Sequence, residues 1–240
     1  MPIIHLPSDT RGHRIHARLA GILFIAAAAT SIIALKLVDP VLRHPVDLQG
    51  GAYHGRQILC GALLELVLTG CVAGTGMLLY PYLRKWNEPL ALGYLCFRVL
   101  EACVILVGLL GVLALLRIGQ AFLATNPADA ASYQAVAEGF HAMQEGTFLL
   151  GHHFMLGMNT LCGSAIFYRS GLVPRRLSRL GITGACLIIL AAVLEISGIV
   201  RPLSLAGALL ATPVFFYQMS LATWLMVTGF NTDALADAPG

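Results

Sequence analysis

Charge is what this chain of 240 residues has least of: Asp, Glu, Lys and Arg together make up 11% of it. Soluble domains carry about 25%. So little charge argues against a cytosolic enzyme or a disordered tail. The net charge of +3 gives no basic face of the kind that nucleic acid needs, so no nucleic-acid partner is invoked. Chemistry-bearing motifs are missing too. There is no His-Glu-x-x-His, no Gly-x-Ser-x-Gly and no P-loop, which removes the usual signatures of metalloproteases, serine hydrolases and nucleotide-binding enzymes. The six cysteines (Cys60, Cys71, Cys96, Cys103, Cys162 and Cys186) contain no Cys-x-x-Cys pair. They read as small apolar packing residues. The alternating segments of about ten residues that build an outer-membrane barrel are also absent.

Long apolar runs are what the chain does have, with 58% hydrophobic residues. A helix needs about 20 mostly apolar residues to cross the hydrocarbon core. Six windows qualify: Leu19 to Val38, Gln57 to Leu79, Leu90 to Leu116, Ala142 to Phe167, Leu180 to Ile199 and Leu203 to Phe230. In lipid the backbone must satisfy itself within each segment, so these windows predict helices. Breakers fall between them: Asp39-Pro40, Pro81, Asn87-Glu88-Pro89, Asn126-Pro127, Ser170-Gly171 with Pro174, and Arg201-Pro202. Pro213 lies inside the sixth window, where it predicts a kink. The first window is too long for an ordinary signal sequence and reads as a signal anchor. The loop from Arg117 to His141 predicts a short amphipathic helix over 130–138. The short link between the fifth and sixth windows predicts antiparallel neighbours.

Lys and Arg then set the orientation. With the amino terminus inside, nine lie on the cytoplasmic side (Arg11, Arg14, Arg18, Arg84, Lys85, Arg169, Arg175, Arg176, Arg179) and five outside (Lys36, Arg43, Arg56, Arg117, Arg201). Arg98 stays within the membrane. The expected architecture is all-α: a polytopic membrane bundle of six transmembrane helices, N-in and C-in, in a bacterial inner membrane. Residues 1–17 form a cytoplasmic flank, 18–230 the six-helix domain, and 231–240 a short acidic cytoplasmic tail, expected to be disordered. Membrane lipids are the expected partners. The small-residue faces Gly70-x-x-x-Gly74, Gly181-x-x-x-Ala185 and Gly207-x-x-x-Ala211 predict close helix packing inside the bundle, with a homodimer contact as the alternative. Tyr80, Tyr82 and Trp86 read as an aromatic belt. The flank His5, Arg11, His13, Arg14, His16, Arg18 has no metal-ligand pattern and reads as solvated. Arg175, Arg176 and Arg179 follow the inside-positive bias, with contact to anionic lipid as the alternative.

Ionisable groups at membrane depth carry the functional signal, because each costs at least about 2.5–3.5 kcal/mol at a helix centre. The candidates for a ligand-binding or proton-relay site are Glu65, Arg98, Glu101, Glu145, His152, His153 and Glu195. Glu65, Glu101, His152 and His153 lie within roughly 6 Å of the middle of their spans. Arg98 and Glu101 are three apart and can pair on one face. His141, Glu145, His152 and Asn159, spaced four, seven and seven, return to nearly one face of a helix. His153, about 100° around from His152, is placed to face a neighbouring helix. Three readings follow: a buried network that fixes helix register, a ligand or proton pathway, and an intramembrane enzyme using His and Glu as acid, base or metal ligands. Adjacent His152 and His153 diverge on a helix and cannot readily share one ion, so no metal set is assigned. The cofactor and the catalytic residues, if any, are not specified by the sequence.

Several segments, in this order, resemble the bacterial membrane-protein family catalogued as domain of unknown function 4386. They are Ala17-Arg18-Leu19-Ala20-Gly21-Ile22-Leu23, Phe97-Arg98-Val99-Leu100-Glu101, His152-His153-Phe154 leading to Gly157, Tyr168-Arg169-Ser170-Gly171-Leu172-Val173-Pro174-Arg175, and Leu221-Ala222-Thr223-Trp224-Leu225. The likeness runs from about Arg18 to Asn231. It implies a multi-span membrane fold and no assigned chemistry, and it singles out Arg98, Glu101 and His152.

Overall fold

The computed structural model describes residues 10–42, 54–123, 130–200 and 204–236. His5, Arg43, the breakers Asn126-Pro127 and Arg201-Pro202, and residues 237–240 of the tail lie outside them. All regular structure among the described residues is helical. The elements are α1 (Thr10–Leu42), α2 (Gly55–Leu83), α3 (Glu88–Phe122), α4 (Ala130–Phe148), a π-helical segment (Leu149–Met155), α5 (Leu156–Ser170), α6 (Arg175–Ile196), α7 (Leu205–Val227) and α8 (Thr232–Ala236). Five of these, α1, α2, α3, α6 and α7, are long and apolar enough to cross a membrane. The fourth expected span is split among α4, the π-helical segment and α5. It carries Gln144, Glu145, His152, His153 and Asn159, which dilute its apolar character.

Local chemistry explains where the helices begin and end. Asn87 caps α3: its side chain accepts from the Leu90 backbone N–H at 2.9 Å. Glu88 then places negative charge in the first turn, where the helix dipole favours it. Ser204 caps α7 by accepting from Gly207 N–H at 3.3 Å. Gly171 closes α5 with φ 68°, its N–H returning to the Phe167 carbonyl. That left-handed conformation suits glycine. Pro81 was expected to end the second span, but α2 continues through it to Leu83. A proline near the end of a helix forfeits one hydrogen bond and need not stop the chain. Pro213 lies inside α7, as expected. The expected helix over 130–138 is the start of α4.

The chain forms two compact units, Met1–Ala26, Cys71–Ala102 and Leu149–Gly240 in the first, and Ala27–Gly70 and Cys103–Phe148 in the second. The first has a core of Phe24, Leu79, Tyr82, Tyr94, Phe167 and Tyr217 with their neighbours. The second packs Val38, Ile58, Val112, Leu115, Leu116 and Ala137 together. Large apolar side chains also point outward: Leu63, Leu110, Leu205 and Val227 are all more than 60% exposed. Such a surface has no place in water and suits lipid. A multi-pass membrane protein follows.

Three details differ from expectation. Tyr82 is fully buried, with its hydroxyl 3.2 Å from both His13 Nδ1 and His16 Nδ1. It is a core residue and not part of a belt, and the flanking histidines are not simply solvated. Cys60, Cys96, Cys103 and Cys186 are exposed on helix surfaces, and only Cys71 is fully buried. The tail is ordered over α8, where Ala234 is buried against the first core and Phe230 stacks on Tyr82 at 4.4 Å.

In the first unit the small-residue faces serve internal packing. Gly184 of α6 lies against Val214 of α7, and Glu195 of α6 against Gly207 of α7. One number rises as the other falls, so α6 and α7 are antiparallel, as their short link predicts. A Cβ on Gly184 would lie 2.8 Å from the Val214 backbone nitrogen, whereas one on Gly70 meets nothing within 4 Å. Gly184→Ala is therefore expected to destabilise the protein in detergent by about 1–3 kcal/mol through overpacking. Gly70→Ala should be neutral or stabilising by up to about 1 kcal/mol from helix propensity. Thermal melts of the two purified variants check the contrast, and equal melting points would refute it.

Candidate buried polar site

Four helices of the first unit assemble a polar cluster in an otherwise apolar interior. Arg98 and Glu101 come from α3, one helical turn apart. Arg98 Nη1 donates to Glu101 Oε2 at 3.3 Å, and both residues are at most 4% exposed. Asn159 of α5, with no exposed surface, donates through Nδ2 to the same Glu101 oxygen at 2.8 Å. Its amide also reaches the Met155 carbonyl at 2.8 Å. The Arg98 guanidinium lies over the rings of Phe24 from α1 and Tyr94 from α3, at 5.1 and 5.8 Å. These faces carry negative quadrupole charge and stabilise a desolvated cation by about 2 kcal/mol or more. Room for the Arg98 stem comes from Gly76 of α2, whose missing Cβ would sit 3.1 Å from Arg98 Cβ.

The second feature lies farther along the same polypeptide. His153 Nδ1 and Glu195 Oε2 of α6 are 2.8 Å apart, with both side chains buried. The π-helical segment 149–155 that presents His153 carries both adjacent histidines. Such segments insert an extra residue into a helical turn and recur at functional sites. On the other side of the carboxylate, Gly207 leaves room for Glu195 Oε1: a Cβ there would meet that oxygen at 2.7 Å.

The hydrogen-bonding account of the cluster does not close. Arg98 Nε and Glu195 Oε1 are buried with no hydrogen-bond partner among the described residues, whereas the Tyr94 hydroxyl meets Arg98 and Thr75 and the Ser164 hydroxyl meets Tyr217. A cavity of about 10 Å³ lies between Phe24, Tyr94, Arg98, Asn159, Thr160 and Gln218. That is close to the smallest space that holds one water molecule. It is too small for a metabolite.

Of the seven residues expected from sequence, Arg98, Glu101, His152, His153 and Glu195 belong to the first unit, and Glu65 and Glu145 to the second. The structure joins Arg98 to Glu101 and His153 to Glu195. His152 is half-buried on the π-helical segment. The stripe counted through His141, Glu145, His152 and Asn159 does not hold as one buried face. Glu145 has a side chain 53% exposed and lies 3.9 Å from His141. The physical reason is the π-helical segment, through which a count at 3.6 residues per turn fails. Glu65 is half-buried. Among the described residues no three His, Cys, Asp or Glu side chains are grouped to hold a metal. Sequence reasoning missed Tyr94, Ser164 and Tyr217 around the cluster. Their only signal was a hydroxyl within an apolar helix, which is commonplace.

Removing one member of a buried pair exposes the cost of the other. Glu101→Ala should lower stability by about 3–5 kcal/mol, while the double change Arg98→Met, Glu101→Met should recover most of it. Denaturation in detergent measures both. A double variant no more stable than Glu101→Ala would show that the pair is not the source of the cost.

Comparison with known proteins gives one match. The family model described as Domain of unknown function (DUF4386) matches residues 19–229. No curated protein and no solved structure matches.

Proposed function

We propose, for a chain that belongs to the family described as Domain of unknown function (DUF4386), that its buried polar cluster relays protons within a multi-pass membrane protein. Two observations carry this: Arg98 Nε is unsatisfied at a cavity the size of one water, and Glu195 Oε1 is unsatisfied beside His153. A network kept only for helix register has every member satisfied, because each buried orphan costs about 1–3 kcal/mol. Here Arg98 Nε is left open at the cavity, and Glu195 Oε1 is left open in the pair with His153. Titratable groups with free lone pairs and room for water are the parts of a proton path. His153 and Glu195 form one station and Glu101, with Asn159 and Arg98, the other. Six residues separate His153 from Asn159, roughly 9 Å along the helix axis. A small ligand would need a cavity tens of times larger than the one present.

A register-fixing network is the second reading, favoured by the two close pairings. It is distinguished by flux. Purified protein in liposomes with an entrapped pH dye should pass protons down an imposed gradient. Glu195→Gln, which keeps shape and loses the exchangeable carboxyl proton, should cut the rate at least tenfold while inserting and melting like the parent; Glu101→Gln should cut it as far per folded molecule, while melting lower because it leaves Arg98 without its counter-ion. No flux from the parent above empty liposomes would sink the relay. Equal loss of folded protein in the variants would favour the register reading.

We also propose six crossings, with the α4, π-helical and α5 stretch as the fourth, both termini cytoplasmic, in a bacterial inner membrane. Contacts of Tyr82 with His13 and Phe230, and of Asn231 N–H with the Leu172 carbonyl at 3.0 Å, gather one end of the first unit. That end carries all nine Lys and Arg residues counted as cytoplasmic, in accord with the inside-positive bias. A cysteine introduced at Arg176 should be blocked from impermeant thiol reagents in intact cells and labelled after lysis. Labelling before lysis would reverse the orientation.

A further inference from the structure

The gathered end of the first unit holds a second site that the polar cluster does not use. A cavity of about 440 Å³ opens between the first turns of α1 and the turn joining α7 to α8. Arg11, His13 and Arg14 line one wall, and Gly229, Phe230 and Thr232 the other. Arg11 and Arg14 are three residues apart, so they project from the same side of α1. Both are exposed, and neither forms an ion pair among the described residues. Asp233, next in the chain to Thr232, is not part of the lining. Two uncompensated guanidinium groups with five donors each, over a cavity of ligand size, suit a phosphate diester.

Thr228 belongs to this cavity and to a second, shallower groove of about 550 Å³. The groove runs along one face of α7 past Met219, Thr223, Trp224 and Val227. Its surface is more apolar than its residue names suggest. The Thr223 hydroxyl is spent on the Met219 carbonyl at 2.9 Å. Val227 is 66% exposed, and on α1 Ile15 and Leu19 are exposed as well. Trp224 is the residue type that settles at the boundary between headgroups and acyl chains. A basic cavity that continues into an apolar groove matches an amphiphile: an anionic head and a hydrocarbon tail.

We infer that the cavity at Arg11 and Arg14 binds the phosphate headgroup of an anionic phospholipid, with an acyl chain lying in the adjoining α7 groove. A free phosphate ester would use the cavity and leave the groove empty. The site does not depend on the relay. Delipidated full-length protein, titrated in detergent and read by native mass spectrometry, tests it with phosphatidylglycerol, phosphatidylcholine and soluble glycerol phosphate as the three probes. Phosphatidylglycerol should bind at least tenfold more tightly than phosphatidylcholine, and glycerol phosphate should not compete at equal concentration. Arg11→Ala with Arg14→Ala should remove the preference, roughly a tenfold loss or more from two basic residues at an anionic headgroup. Arg84→Ala with Lys85→Ala removes the same charge from the same end and should keep it. Thr228→Trp, which blocks the junction without touching charge, should weaken phosphatidylglycerol as well, so the result does not hang on one variant folding. Equal losses in both double variants, no preference over phosphatidylcholine, or glycerol phosphate binding as tightly as the lipid would each overturn the inference.

Discussion

Arg98 sets the terms for the interior of the first unit. Its guanidinium stays charged inside a protein, and it lies 3% exposed within an apolar bundle. Everything around it answers that charge. Glu101 supplies the anion one turn away, Asn159 holds the shared oxygen from another helix, and Phe24 and Tyr94 present their ring faces. Three stretches of chain distant in sequence must therefore keep a common register. A slip of one residue in α5 would take Asn159 off the carboxylate and leave α3 with a poorly paired ion in hydrocarbon. The cost of an unpaired charge at that depth is several kcal/mol, a large share of what holds a typical domain folded.

The same constraint made much of this legible in the sequence. Arg98 and Glu101 had to pair because nothing else in α3 could neutralise either, and their spacing of three allowed it. The apolar windows gave the helices, with five of them emerging long enough to span. The antiparallel packing of α6 on α7 followed from their short link. What the sequence concealed was geometry that depends on neighbours. Tyr82 sits where an aromatic belt would lie, yet the α1 histidines and Phe230 close over it. The π-helical segment 149–155 has no reliable sequence mark, and it upsets a face count made at 3.6 residues per turn. So the stripe through Glu145 failed while His153, counted off that stripe, found Glu195. The tail has the acidity and small size of a disordered end, but Phe230 and Ala234 anchor it to the core.

The two pairings are unequal in what they leave undone. Arg98–Glu101 with Asn159 spends both partners on one carboxylate oxygen, Oε2. His153–Glu195 spends Oε2 of Glu195 and leaves Oε1 facing a glycine. A larger residue at 207 would fill that space and remove the open lone pair from reach. Gly207 thus has two consequences at once: it lets α6 and α7 approach, and it keeps one oxygen of a buried carboxylate unspent. Packing need alone accounts for a small residue there. It does not account for a carboxylate buried against it, which an apolar side chain of similar volume would replace without penalty.

That distinction bears on why a membrane bundle would keep acids and imidazoles in its interior. Apolar packing between helices gains little in lipid, since acyl chains solvate leucine as well as another helix does. Polar contacts then offer real association energy, though measured values average near 0.6 kcal/mol each, far below the desolvation of the groups that make them. An Asn or Ser pair would supply the same register at lower cost than Arg with Glu or His with Glu. The residues present are those that change protonation or hold an ion, and the cavity beside Arg98 and Asn159 has room for one water molecule. The basic cavity at the first turns of α1 differs: it is open and large, and its arginines form no ion pair among the described residues. One end of the unit is built to meet the charged surface of a membrane, and its interior to keep charge away from the hydrocarbon. The arginines, which cannot lose their protons, anchor both.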